Sequence, residues 1–191
     1  MAKETKCLKS GRPEEIAMFR PAAEILKPDP RYENIVHHNQ ATGQLRAATV
    51  ADWHALIAEK ELTPQVPERI RNEFDKARNA FLYSWFSYEL ASLAEQQSYA
   101  TLEMAIRIRL KERDPGSSPL RGLKKLLHAA QKSGLLNGID HTLIDLLSMQ
   151  RNEIAHGSSY LFPQASLDMI KYCAELLNAL YAAPGANRSD P

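Results

Sequence analysis

The sequence predicts an all-α protein, a bundle of about five helices preceded by an irregular N-terminal arm. From residue 64 onward, apolar residues recur at three- and four-residue steps, which is the period of a helix. The periodic segments are separated by short loops rich in glycine and proline. Four prolines between residues 13 and 30 prevent a continuous helix there. We therefore divide the chain into an arm of mixed irregular structure at 1–63, a helical domain at 64–183 and a disordered tail at 184–191.

Composition excludes several classes of protein. The 191 residues are 44% hydrophobic and 25% charged, as in ordinary globular domains, so bulk disorder is excluded. Cys7 and Cys173 lie too far apart in the sequence to indicate a disulfide scaffold or a thiolate zinc site. No apolar run reaches the roughly 18 residues that span a bilayer, and the N-terminus does not resemble a secretory signal. We expect a cytoplasmic protein with no membrane partner.

In the arm, residues 32–36 and 44–50 predict a β-hairpin, with Gly43 in the turn. A short helix follows from Thr49 or Asp52, and Asp52 is able to cap it. His37 and His38 are predicted to be loop residues and not a metal pair, because adjacent side chains diverge and no ligand partner is close in sequence.

The helical domain begins with residues 64–113, where Pro67 fits the first turn of a helix. One straight helix of about 45 residues would be about 70 Å long, too long for a compact domain of this size. We therefore predict two helices with a kink near residues 84–87. Further helices are predicted at 120–133, 141–155 and 164–182, with loops at 114–119 and 158–163. Asp140 is predicted to cap the 141–155 helix, and Gly157 to end it.

The sharpest chemical feature is the segment RNEIAHG at residues 151–157. Asn152 and His156 are four residues apart and share a helix face, whereas Arg151 lies about 140° around the axis from His156. A long arginine side chain, or a second copy of the helix across a twofold axis, can still bring the two groups together. Histidine titrates near neutral pH, and the arginine fork matches phosphate. The alternative is structural: Arg151 pairs with Glu153 or Asp145, and His156 caps the helix.

This segment resembles the R-x4–6-H signature of HEPN domains, all-α domains named for nucleotide binding in higher eukaryotes and prokaryotes. The paired helices at 81–110 and the short helix at 120–136 also look like those of that superfamily. The similarity covers roughly residues 65–182, and nothing in residues 1–63 matches. Catalytic members are endoribonucleases that need neither metal nor cofactor and form their site at a dimer interface.

The resemblance implies a role for each residue of the motif. Arg151 would hold the scissile phosphate, His156 would act as general base or acid on the 2′-hydroxyl or the leaving oxygen, and Asn152 would orient the phosphate or the histidine. The products would be a 2′,3′-cyclic phosphate and a 5′-hydroxyl. Some HEPN toxins carry a tyrosine two residues after the histidine, where this chain has Ser158.

Two functions therefore stay open. The first is a homodimeric HEPN-type ribonuclease acting on RNA in a toxin–antitoxin or anti-phage defence system, with an antitoxin or defence protein as partner. The second is a non-catalytic HEPN-like dimer that binds RNA, a nucleotide or a partner protein.

A basic stripe on the predicted 120–133 helix is the candidate RNA-binding surface. Its members are Arg121, Lys124, Lys125 and Lys132, with His128 among them. A basic face beside a phosphate site would position a nucleic-acid backbone. The alternative is an ordinary solvated helix face.

An acidic residue of the long helices is predicted to support Arg151. These helices carry Glu89, Glu95 and Glu103, of which Glu89 and Glu95 lie among aromatic and apolar neighbours and are the candidates, and we choose Glu95, because a buried acid needs a partner. The alternative is an exposed carboxylate. The aromatic group at 81–88 is interpreted as core and dimer interface and not as a base-stacking platform.

Overall fold

The computed structural model describes residues 19–38, 43–116, 118, 120–157 and 162–182. In this part of the chain the all-α prediction is confirmed: six helices are accompanied by one small two-stranded sheet. The helices are α1 (Val50–Ala58), α2 (Glu68–Tyr83), α3 (Leu90–Arg113), α4 (Leu123–Lys132), α5 (His141–Ala155) and α6 (Pro163–Tyr181). The strands are β1 (Val36–His38) and β2 (Leu45–Ala47). The predicted disordered tail lies outside the described residues.

The predicted hairpin is present, but its first strand begins later than expected. β1 and β2 pair antiparallel, with Val36 opposite Ala47. Tyr32 was expected in the strand and instead ends a 3₁₀ turn, because the Asp29 carboxylate accepts a hydrogen bond from the Arg31 backbone N–H and stabilises the turn. His37 and His38 lie in β1, so the prediction of loop residues is wrong for both.

One capping side chain begins α1, and another ends α2. Thr49 caps α1, and the Asp52 carboxylate accepts the Thr49 backbone N–H in return, which forms a capping box. The Ser84 hydroxyl donates to the Phe81 carbonyl oxygen at 2.7 Å and satisfies a carbonyl at the end of α2. The long periodic segment is therefore two helices, as predicted, and the break spans residues 84–89.

α3 is the central helix and contacts α2, α4, α5 and α6. α2 runs antiparallel to it: the break at 84–89 joins the end of α2 to the start of α3, and ten residues before that end the Glu73 carbonyl oxygen accepts a hydrogen bond from the Gln97 amide. The segment after α3 doubles back, so that Leu120 lies beside Arg107 and Gly134 lies beside Arg113. α4 consequently runs in the same direction as α3.

α5 returns in the opposite direction along α4. Lys124 pairs with Asp145, and the rings of His128 and His141 lie 5.7 Å apart. Later residues of α4 therefore contact earlier residues of α5, which makes the two helices antiparallel. This antiparallel arrangement carries the C-terminal end of α5 toward the middle of α3, where the candidate site lies.

One hydrophobic cluster joins the arm to the helical domain. Tyr32 and Trp53 are buried in the same core as Phe81, Trp85 and the apolar faces of α2 to α6. The core interpretation of the aromatic group is confirmed for Phe81 and Trp85, whereas Tyr83 is 56% exposed. Among the described helices, none has the length and the apolar character needed to cross a membrane.

Candidate functional site

The site lies at the C-terminal end of α5. Asp140 begins the helix as predicted, because its carboxylate accepts the Thr142 backbone N–H at 2.9 Å. His156 is the last residue before the chain turns, and its backbone N–H donates to the Asn152 carbonyl oxygen at 3.0 Å. Gly157 follows with a φ of 72°, a left-handed conformation that glycine adopts without a steric penalty. The local sequence thus places His156 at an exposed helix terminus.

Arg151 lies on the side of α5 that faces the core. It shares this side with the buried Ile144 and Leu147, and its Nε atom lies 3.4 Å from the Glu103 Oε1 atom on α3. The other carboxylate oxygen of Glu103 accepts a short hydrogen bond from Arg107. One carboxylate therefore holds two guanidinium groups, and we call Glu103, Arg107 and Arg151 the arginine cluster.

The arginine cluster is open to solvent on its cationic side. The Glu103 side chain is only 10% exposed, whereas the side chains of Arg107 and Arg151 are 42% and 39% exposed. Two positive charges and one negative charge leave an excess of one positive charge at the surface. Half-exposed guanidinium forks held in place by a nearly buried acid suit the binding of phosphate.

Glu103, and not Glu95, is the acidic partner of Arg151. Glu95 is buried and accepts a hydrogen bond from the Tyr99 hydroxyl at 2.6 Å and another from Ser166 on α6. Burial raises the pKa of Glu95, and the two hydroxyl donors only partly oppose this shift. The prediction of Glu95 is wrong because Glu95 lies eight residues, or about 12 Å, before Glu103 along α3.

The other candidate, Glu89, also has a different partner. Its carboxylate lies 2.6 Å from Arg31 in the arm. A sequence signal for Glu103 did exist: Arg107 follows it by four residues, which is the spacing of an intrahelical ion pair.

His156 lies five residues after Arg151, about 140° around the axis of α5. The residue is exposed, and its imidazole makes no hydrogen bond or ion pair with any residue that the structure describes. Asn152 is exposed too, and its Oδ1 atom lies 3.5 Å from the Arg151 guanidinium. The structure therefore brings Asn152 to Arg151 but does not bring Arg151 and His156 together within one chain.

The structural alternatives for the motif are only partly met. Asp145 pairs with Lys124 at 2.8 Å and not with Arg151. His156 occupies the cap position, but the helix is ended by its backbone and by Gly157, and the imidazole takes no part. The imidazole is therefore available for a role outside its own helix.

The basic stripe lies on the solvent side of α4, opposite the buried leucines of that helix. Lys125 and Lys132 are exposed, and Arg121 lies exposed just before the helix begins. The Lys124 ammonium lowers the pKa of the Asp145 carboxyl, so part of its charge is already neutralised. Arg121 adjoins the arginine cluster, because Arg107 donates to the Leu120 carbonyl oxygen. Lys132 lies at the far end of α4, about 15 Å away.

The described residues contain no group of three or more histidine, cysteine, aspartate or glutamate side chains able to hold a metal ion. His37 lies 3.4 Å from Asp52, but the same carboxylate already binds Arg46 and Thr49.

No protein-family model, curated protein or solved structure compared with this chain matches it significantly. The function is therefore argued from the geometry of the arginine cluster, His156 and the basic stripe.

Proposed function

We propose that the protein is a metal-independent endoribonuclease of HEPN type that acts as a homodimer in the cytoplasm and cleaves RNA to a 2′,3′-cyclic phosphate and a 5′-hydroxyl. The observation that supports this is the solvent exposure and the contacts of the Arg151 and His156 side chains. Arg151 is fixed by Glu103 yet open to solvent, and the imidazole of His156 is exposed and uncommitted to any described residue five positions later.

The chemistry needs a base, an acid and a group that stabilises charge. His156 removes the proton of the 2′-hydroxyl, the resulting oxygen attacks the adjacent phosphorus, and the 5′-oxygen leaves with a proton from a second acid. Arg151 stabilises the negative charge that develops on the phosphoryl oxygens. Asn152, within reach of Arg151, orients the same phosphate.

A homodimer explains why Arg151 and His156 diverge within one chain. A twofold axis beside α5 places the His156 of one protomer opposite the Arg151 of the other, so that each dimer contains two sites with one His156 imidazole in each. The dimer should therefore sediment at twice the chain mass. A monomer at micromolar concentration would contradict this assembly.

The test is RNA cleavage in the presence of EDTA. The purified protein should cut single-stranded RNA but not DNA of the same sequence, because DNA lacks the 2′-hydroxyl nucleophile. His156→Ala should lower the rate about 100-fold or more, the usual scale for a general acid or base. Its melting temperature should not change, since the imidazole makes no described contact.

A matched control is His54→Ala, which removes an exposed histidine on α1, remote in sequence from the motif. It should leave cleavage unchanged. Equal activity of the His156→Ala and His54→Ala variants would contradict the nuclease function. Growth arrest on expression, lost in His156→Ala, would support the toxin or defence setting.

The second candidate is a non-catalytic dimer that binds RNA, a nucleotide or a partner protein. The divergence of Arg151 and His156 within one chain favours it, because a binding surface needs the arginine cluster but no histidine beside it. In that case the wild type would bind RNA without cutting it. Arg151→Ala would weaken this binding, and His156→Ala would not.

A further inference from the structure

A cavity separate from His156 lies between the last two turns of α3 and the inner side of α4. Its volume is about 490 Å³, within the usual range of small-molecule sites. Leu110 of α3 and Leu126 and Ala129 of α4 line it, together with Leu120, which is 37% exposed. The interior surface of the cavity is therefore mainly aliphatic.

The rim of this cavity is cationic. Among the described lining residues, Arg107, Lys111 and Arg113 are basic and Asp114 alone is acidic. Lys111 and Arg113 form no ion pair with the residues that the structure describes, and both residues are exposed. Asp114 accepts the Gly116 backbone N–H and thereby stabilises the turn after α3.

The sequence produces this arrangement through the helical repeat. Leu110, Lys111 and Asp114 lie three, four and seven residues after Arg107, so all four lie on one side of α3. The segment that doubles back after α3 then holds α4 beside this side. Cationic groups consequently meet an aliphatic cavity at one end of the bundle.

We propose that this cavity is a binding site for an aliphatic organic anion: a small molecule with a saturated chain and one carboxylate or phosphate group. The chain would lie against Leu110, Leu126 and Ala129, and the anionic group would pair with Lys111 and Arg113. A nucleotide suits the cavity less well, because no aromatic side chain among the described lining residues offers a surface on which a base could stack.

The cavity shares Arg107 with the arginine cluster, but its test does not depend on the proposed ribonuclease. Binding is measured without RNA, and the variants below leave the arginine cluster intact. Failure of cleavage and failure of ligand binding are therefore separate results.

The experiment is calorimetric titration of the full chain with four probes: decanoate, decyl phosphate, decanol and inorganic phosphate. Decanoate and decyl phosphate distinguish a carboxylate from a phosphate head group. Decanol tests the chain without the charge, and inorganic phosphate tests the charge without the chain. The two anionic amphiphiles should bind at one site per chain, decanol at least tenfold more weakly, and inorganic phosphate not at all.

Chain length gives a second, quantitative test on the unaltered protein. Each methylene group buried in the cavity strengthens binding by about fourfold. Octanoate should therefore bind roughly 15-fold more weakly than decanoate. An affinity that does not depend on chain length would overturn the aliphatic site.

Variants locate the site. Lys111→Ala and Arg113→Ala should each weaken decanoate binding about tenfold through the loss of a charge-assisted contact. The matched control is Lys125→Ala, which removes an exposed lysine on the outer side of α4. Equal affinities of the Lys111→Ala, Arg113→Ala and Lys125→Ala variants, or a wild type that binds AMP more tightly than decanoate, would overturn the assignment.

Discussion

Mixing two variants that are each expected to be inactive tests whether the proposed ribonuclease site is built from two chains. Within one protomer, the five-residue separation and the 140° angle place the side chains of Arg151 and His156 roughly 13 Å apart on an ideal helix. Proton transfer at a phosphate that Arg151 holds requires the imidazole within about 3 Å of the reacting oxygen. Glu103 draws the guanidinium toward α3, which maintains the separation. The partner's helix is therefore the expected source of the histidine.

The expected activity follows from counting sites. Arg151→Ala and His156→Ala chains, co-refolded in equal amounts, give about half heterodimers by random pairing. Each heterodimer has two sites. One contains Arg151 from one chain and His156 from the other and is intact, and the second lacks both side chains. The mixture should therefore recover up to about a quarter of the wild-type rate, although each variant alone is at least about 100-fold slower than wild type.

The assay is cleavage of a fluorescently labelled RNA in EDTA, with different affinity tags on the two chains to prove that heterodimers form. The control mixture pairs His156→Ala with the double variant Arg151→Ala, His156→Ala, which leaves no His156 imidazole in any dimer. If tagged heterodimers form and cleavage stays at the level of the parents, a site shared between chains is refuted.

Three further predictions follow from the same contacts. Glu103→Gln should slow RNA cleavage about tenfold or more, because Arg151 loses the carboxylate that holds it. It should also lower the free energy of unfolding, measured by urea titration, by only about 1 kcal/mol, since both arginines are partly solvated. The control is Glu112→Gln, which removes the exposed partner of Arg109 and should change neither quantity. Lys125→Ala should weaken RNA binding and reduce its salt dependence more than Lys124→Ala, because Asp145 already neutralises Lys124. Equal effects of the two variants in filter-binding titrations would contradict the larger contribution of Lys125. Burial raises the pKa of Glu95 above its ordinary value of 4.5 in the folded state, so the folded protein favours the protonated acid. The wild type should therefore lose stability relative to Glu95→Gln as the pH rises above about 4.5. A difference in unfolding free energy between the two proteins that is constant from pH 4 to pH 8 would show that Glu95 titrates normally.

The boundaries of the helices were largely predictable because they depend on local chemistry. Asp140 and Gly157 begin and end α5 through backbone geometry that a few neighbouring residues determine. The first strand was placed too early, since the turn at Asp29 depends on a side chain bonding to the backbone, and Tyr32 is buried against Trp53 and Trp85 from later in the chain.

The acidic partner of Arg151 was not predictable from the apolar neighbours of the glutamates in the long helices. Glu89, Glu95 and Glu103 all follow apolar or aromatic residues, and their different partners are set by which helix passes each of them. Glu89 meets the arm and Glu95 meets α6, whereas Glu103 meets α5. Each of these contacts joins residues at least 48 positions apart in the sequence. The i,i+4 pair of Glu103 with Arg107 was the local feature that distinguished it.

The site also shows why one short motif allows two functions. A five-residue separation on a helix fixes the angle between Arg151 and His156 whatever surrounds them, so the motif alone directs one side chain toward the bundle and the other toward solvent. Glu103 then decides what Arg151 can do: it holds the guanidinium in place but leaves it open to an anion. The surface opposite His156 determines which of the two proposed functions the site supports. Opposite a second α5 the histidine would complete the proposed nuclease site, and facing water it would leave an arginine cluster suited to binding phosphate without cleaving it.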